Sequence, residues 1–151
     1  PIGFRIAQAP GLNQLARVIT PRSLVEKSLR QSVSNQAMID DAMIDRYWEL
    51  LLHPGNREAT GKRFGTPRSP ADPARLARLS IPTLVMWGSE DKLIPVSAAR
   101  WFARAIPGAK LVIYDGIGHI PMEELPDRSA ADVDAFLSGI ALSGAQAAAG
   151  R

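Results

Sequence analysis

The feature that most constrains this fold is a pair of short, largely apolar runs, each followed by a loop with polar and glycine residues. The first run covers residues 83–87 and is bounded by Pro82 and Gly88, and the second covers residues 110–114. Apolar runs of this length without polar alternation are typical of strands buried on both faces of a parallel sheet. Two such strands therefore restrict this part of the chain to an α/β arrangement.

The segment between the two runs predicts a helix. Residues 97–106 carry apolar side chains at helical spacing, and Pro107 and Gly108 end the segment. A strand, helix and strand in this order require two parallel strands joined by a right-handed crossover. A last helix over residues from about 127 to 140 would cover the sheet. We therefore predict an α/β core over residues 71–142 and a flexible tail over residues 143–151.

The preceding residues, 1–70, read as helices joined by turns rich in proline and glycine. Thr20 and Pro21 form a helix-start signal for a helix from about 21 to 32. A second helix is predicted to start at Asp40, flanked by Ile39 and Ile44 at the positions of a hydrophobic staple. A third follows from about 56 to 64, and residues 65–70 read as a linker. This pattern predicts a separate helical region.

Composition excludes several classes of function. The chain has 18 Lys and Arg against 15 Asp and Glu, and these cations do not form a patch with aromatic residues, so nucleic-acid binding is not expected. No cysteine is present, the two histidines share no metal-ligand spacing, and no phosphate-binding glycine turn occurs, so we predict neither a metal nor a cofactor. No apolar run suits a membrane span, and without a secretory signal in these residues a cytoplasmic location is the default expectation.

The candidate catalytic residues follow the two predicted strands. Asp91 lies in the loop after the first strand and His119 in the loop after the second. Since the carboxyl ends of parallel strands meet at one sheet edge, the two side chains are expected to approach each other. A carboxylate beside an imidazole fixes its tautomer and stabilises the imidazolium that forms when the ring takes up a proton. Positive φ angles are predicted at Gly88, Gly116 and Gly118.

The two loops carry specific motifs. They read Pro-Thr-Leu-Val-Met-Trp-Gly-Ser-Glu-Asp-Lys-Leu-Ile-Pro over residues 82–95 and Gly-His-Ile-Pro-Met-Glu-Glu-Leu-Pro over residues 118–126. Together they closely resemble the last third of α/β-hydrolases of the esterase, dehalogenase and C–C hydrolase type. The resemblance implies an α/β-hydrolase fold in which Asp91 and His119 are the acid and the base of a catalytic triad. Residues 1–70 resemble the helical cap of this family, which implies a substrate-binding role for Tyr47 and Trp48, with packing in the core as the alternative.

Neighbouring acidic residues admit other interpretations. Asp91 could be a simple turn residue, but the surrounding motif favours the catalytic interpretation. Glu90 is the alternative acid, although side chains at consecutive positions diverge. Glu124 is better interpreted as a structural partner or helix-start residue than as a second acid.

A nucleophile is the missing part of the triad. Neither Gly-x-Ser-x-Gly nor its aspartate version occurs in the chain. We therefore expect the nucleophile to lie on an N-terminal segment outside this chain, and we expect a complementary chain with that segment, or a homo-oligomer, to cover the exposed strand edge.

Three hypotheses follow for function. The leading one is hydrolysis of a small apolar ester or a related acyl or C–C bond. The alternative within enzymes is a haloalkane dehalogenase or an epoxide hydrolase with an aspartate nucleophile. A hypothesis of another class is a non-catalytic ligand-binding protein on the same fold, or an inactive fragment.

Overall fold

The structure is a computed structural model that describes residues 19–66 and 69–149, with side chains described up to residue 141. Its contacts divide the chain into two compact units, Pro1–Pro70 and Ala71–Arg151. Each unit has its own helices and its own buried residues. Within the described part of the chain, no helix combines the length and the hydropathy that a transmembrane helix needs.

The first unit is helical, as the sequence predicts. Its described residues form α1 Arg22–Ser32, a short 3₁₀ helix Gln36–Met38, α2 Asp41–Leu52 and α3 Asn56–Gly65. Its core comprises the buried apolar residues Val25, Leu29, Val33, Ile39, Met43 and Ile44. The side chain of Asp40 accepts a hydrogen bond from the Met43 N–H, which confirms the predicted start of α2.

The start of α1 differs from the prediction in one detail. Pro21 is the N-cap residue, and no side chain caps the helix. The carbonyl oxygen of Thr20 instead accepts a hydrogen bond of 2.9 Å from the Trp48 indole N–H. The backbone carbonyl of Thr20 is therefore held by a side chain of α2.

The second unit contains the predicted α/β structure. It consists of α4 Pro73–Leu76, β1 Leu84–Gly88, α5 Val96–Ala105, β2 Lys110–Tyr114, α6 Pro121–Glu124 and α7 Pro126–Ala149. The two strands pair in parallel, with Leu84 opposite Lys110 and Gly88 opposite Tyr114. Helix α5 packs on both strands. The predicted fold class, a parallel sheet with flanking helices, is confirmed.

The last helix is longer than predicted and reaches into the tail over residues 143–151, whose flexibility stays a prediction. Helix α7 continues to Ala149, so residues 143–149 belong to its final turns. These residues are mostly alanine, which has the highest intrinsic helix propensity and needs no packing partner to favour a helix. The sequence offered few side chains for packing here, but it did not disfavour a helix.

Tyr114 connects the end of β2 to α7 and makes the stability of the fold depend on pH in the alkaline range. Its hydroxyl donates a hydrogen bond of 3.0 Å to Asp132 Oδ2. Burial, assisted by this hydrogen bond, raises the pKa of Tyr114 to about 12. Because the pKa is higher in the folded state than in the unfolded chain, the associated stability is present below pH 10 and is lost as the pH rises towards 12.

We expect Tyr114→Phe to remove this part of the pH dependence. At pH 8 the variant should be less stable by about 1 kcal/mol, because it lacks one partly buried hydrogen bond. Between pH 9 and pH 11.5 the wild type should lose more free energy of unfolding than the variant, since groups other than Tyr114 titrate in both. Denaturant unfolding at the two pH values measures the difference, and equal losses would contradict the proposed titration.

Candidate active site

The acidic residue of the site is Asp91, which lies in the loop after β1. Its Oδ1 accepts hydrogen bonds from the backbone N–H groups of Leu93 at 2.8 Å and Ile94 at 2.9 Å. The indole N–H of Trp87 also donates to the carbonyl oxygen of Ile94, at 3.1 Å, and ties the far side of this turn to the strand. The carboxylate is 2 % exposed. Asp91 is thus a turn residue whose second oxygen remains available for another partner.

That partner is His119, in the loop after β2. His119 Nδ1 lies 2.8 Å from Asp91 Oδ2, so the structure brings the two predicted residues together. A carboxylate can only accept a hydrogen bond, so the proton of this pair belongs on Nδ1. The other ring nitrogen, Nε2, then carries the lone pair that can take up a proton. The imidazole is 33 % exposed, so it is open on one side.

The glycines around the site differ from the prediction. Of the three predicted positions, Gly116 has a positive φ, of 72°, whereas Gly88 and Gly118 do not. Gly88 is required for another reason, because its Cα faces the His119 loop at very short range. A Cβ added there would lie 2.0 Å from the carbonyl oxygen of Gly118 and 2.2 Å from that of Ile117. The two loops therefore touch backbone to backbone.

Hydrogen bonds join the two loops beside this contact. Ser89 Oγ donates to Asp115 Oδ1 at 3.1 Å and accepts the Gly116 N–H at 2.9 Å. The N–H of Glu90 donates to the carbonyl oxygen of Ile117 at 2.8 Å. The side chain of Glu90 is exposed, whereas that of Asp91 holds the histidine. Asp91 and not Glu90 is thus the acidic partner of His119.

A further carboxylate lies close to the histidine. Glu124 Oε1 accepts the N–H of Gly118 at 2.7 Å, which agrees with its interpretation as a structural partner. Sequence reasoning missed the role of Ser89, although it lies inside the motif that identified Asp91. Its contacts with the other loop depend on how two loops 26 residues apart come together.

A cavity of about 590 Å³ opens beside Asp91 and His119 within the second unit. Its walls are mainly apolar. They comprise Met86, Trp87, Pro121, Met122, Pro126, Ala130 and Val133, with Ser129 and Asp134 as additional polar residues. The lining is suited to an apolar group placed next to the exposed side of the imidazole.

The predicted substrate-binding residues Tyr47 and Trp48 lie on α2, in the first unit. Both side chains are half-buried, and the Trp48 indole donates to Thr20. The guanidinium of Arg46 lies 5.4 Å from the centre of the Tyr47 ring. Their contact with a substrate stays a prediction. Among the described residues, no group of three or more metal-binding side chains is found.

Comparisons with known proteins agree with this fold. Residues 3–126 match the family model of the α/β-hydrolase fold. Lipase 1 of Psychrobacter immobilis is 36% identical over 63 residues, which are 42% of this chain and 20% of the lipase. The 2-hydroxymuconate semialdehyde hydrolase of Pseudomonas putida is 27% identical over 110 residues, which are 69% of this chain and 39% of that enzyme.

A solved structure extends the likeness to three dimensions. It is that of a serine hydrolase involved in carbazole degradation, the CarC enzyme, with a TM-score of 0.69 and 27% sequence identity. The match covers 78% of this chain and 47% of that structure. The chain thus spans between about a fifth and a half of the length of these three relatives.

Proposed function

This chain belongs to the α/β-hydrolase fold family, and we propose on that premise that it supplies the acid and the base of a hydrolase active site. The observation that carries the proposal is the 2.8 Å pairing of His119 Nδ1 with the buried Asp91 carboxylate. In this role His119 is the general base and then the general acid, and Asp91 orients it. The named relatives are hydrolases.

The chemistry follows from the tautomer. With the proton of the pair on Nδ1, His119 Nε2 removes a proton from the nucleophile as it attacks the substrate carbonyl. The imidazolium that forms is stabilised by Asp91, which is held in place by the N–H groups of Leu93 and Ile94. Nε2 then returns the proton to the leaving group. Because the Asp91 carboxylate is already oriented, little reorganisation is needed during the reaction.

The nucleophile in this proposal comes from a segment outside this chain, either preceding it in a longer protein or carried by a complementary chain. Exposed apolar side chains support such a partner segment. Ile81, before β1, is 65 % exposed and Leu137 on α7 is 55 % exposed, and neither is among the residues that line the cavity. Apolar side chains exposed in this way are stabilised when another segment removes them from water. We call this chain together with that segment the complete enzyme.

The proposed substrate is a small apolar ester or a compound with a related acyl or C–C bond. The cavity beside His119 supports this class, because its walls are mainly apolar and a charged substrate would lose its hydration against them. The relatives include a lipase and a semialdehyde hydrolase, which act on different bonds. In the same proposal the helical first unit is a cap, and Tyr47 and Trp48 contact the substrate.

The test is an assay of the complete enzyme with p-nitrophenyl esters of increasing acyl length, with and without a serine-directed phosphonate. We expect ester hydrolysis that the phosphonate abolishes, together with one phosphonate adduct in the intact mass. Turnover of a haloalkane or an epoxide that resists the phosphonate would instead indicate an aspartate nucleophile. Binding of the esters without turnover of any of these substrates would contradict the hydrolase proposal and favour the ligand-binding alternative.

A further inference from the structure

A peptide unit close to His119, one residue before the peptide that joins Gly118 to His119, is held at both of its polar ends. This unit joins Ile117 to Gly118. Its carbonyl oxygen accepts the Glu90 N–H at 2.8 Å, and its N–H donates to Glu124 Oε1 at 2.7 Å. The donor to the carbonyl oxygen lies in the loop of Asp91, and the acceptor of the N–H is a carboxylate on α6. The orientation of this peptide is therefore fixed from two independent elements.

The location of Glu124 in the chain allows it to fix the position of His119. It is the last residue of α6, which begins two residues after His119. The hydrogen bond from Gly118 to Glu124 therefore closes a short loop that contains His119. The N–H of Glu124 itself donates to the carbonyl oxygen of Ile120, at 3.2 Å, so the backbone is tied on both sides of the histidine. A hydrogen bond to a carboxylate is stronger than one between neutral groups.

The two hydrogen bonds of the peptide also act on each other. Amide groups in a chain of hydrogen bonds polarise one another, so each bond strengthens the next. This series of hydrogen bonds runs from the Glu90 N–H through the Ile117–Gly118 peptide to the Glu124 carboxylate. Since Glu90 directly precedes Asp91, the series connects the loop of Asp91 with the loop of His119.

We propose that Glu124 is a positioning residue for His119. By holding the Ile117–Gly118 peptide, its carboxylate keeps the imidazole oriented toward Asp91. Glu124 acts on a backbone N–H and so is not a second catalytic acid. The expected effect on turnover rests on the proposed function. The effect on the pairing of His119 with Asp91 does not.

Three substitutions in the complete enzyme test the role. Glu124→Ala removes the acceptor, and a small displacement of the histidine should lower kcat on the order of 10- to 100-fold while KM changes less than about twofold. Glu124→Gln keeps a carbonyl oxygen for the Gly118 N–H and should stay within about threefold of the wild-type kcat. Asp127→Ala, which removes an exposed carboxylate three residues away, is the matched control and should leave kcat unchanged.

The second readout is the proton NMR signal of His119 Nδ1–H, which lies far downfield when the proton is shared with a carboxylate. His119→Ala assigns it. We expect the signal to shift or to exchange with water in Glu124→Ala, and to persist in Glu124→Gln and Asp127→Ala. If Glu124→Ala does not fold, Glu124→Asp takes its place, because the shorter side chain withdraws the carboxylate from Gly118.

The two readouts separate the possible failures. An unchanged signal in a folded variant without the Glu124 contact would overturn the positioning role, whether or not kcat falls. A changed signal with unchanged kcat would support the positioning role and contradict the proposed function of His119 as the base. A changed signal with a reduced kcat supports both.

Discussion

His119→Ala in the complete enzyme is expected to lower kcat by roughly 10⁴-fold or more, because the substitution removes the group that accepts and returns the proton. The free energy of unfolding should change little in comparison, since the imidazole is 33 % exposed and its described hydrogen bond is the one to Asp91. Ester hydrolysis and denaturant unfolding of the same preparation measure the two effects.

The chain supplies a matched control, because it contains two histidines. His53 lies at the end of α2 with an exposed side chain, and His53→Ala should keep wild-type turnover. Asp91→Asn is the complementary variant. Its amide would donate to His119 Nδ1 and move the ring proton to Nε2, with a loss of roughly 10⁴-fold. Near wild-type turnover in His119→Ala would exclude this residue as the base.

Much of the second unit could be predicted from the sequence because the signals there are local. The first strand follows Pro82 and ends at Gly88, within one residue of its predicted bounds, and β2 matches its predicted bounds. Asp91 and His119 could be chosen because parallel strands bring the residues after their carboxyl ends to the same edge. The hydrogen bond of 2.8 Å between them then follows from the topology.

Other parts of the site could not be predicted, because they depend on packing between segments far apart in sequence. The reason for Gly88 is contact with the carbonyl groups of Ile117 and Gly118, about 30 residues later. A glycine after a strand usually suggests a turn with positive φ, which was the wrong explanation here. The contact of Glu124 with Gly118 joins residues six apart, and the sequence allowed Glu124 to be interpreted as a structural partner; which group it binds depends on the turn that α6 makes after His119.

Gly88→Ala is expected to have the largest effect on structure. The added Cβ would lie 2.0 Å from Gly118 O, 2.2 Å from Ile117 O and 2.6 Å from Ile117 C, all of them backbone atoms. No side-chain rotation can relieve such contacts, so the His119 loop must move away from β1. Overpacking of a tight site lowers the free energy of unfolding by about 1–3 kcal/mol and occasionally more. Because this contact is very short, we expect the variant to lose about 3 kcal/mol or more.

The same movement should impair catalysis beyond the loss of stability. Displacing Ile117 breaks its hydrogen bond with Glu90 and carries His119 away from Asp91, so kcat should fall on the order of 100-fold even at a temperature where the variant is folded. Gly139→Ala is the matched control, because among the described residues its Cβ would meet Lys110 Nζ, the end of a flexible side chain, at an ordinary contact distance of 3.8 Å. That substitution lies inside α7 and should be neutral or stabilising by up to about 1 kcal/mol. Equal stability and kcat in the two variants would show that the loops move apart without cost, and the interlocked backbone would then not be what holds the acid and the base together.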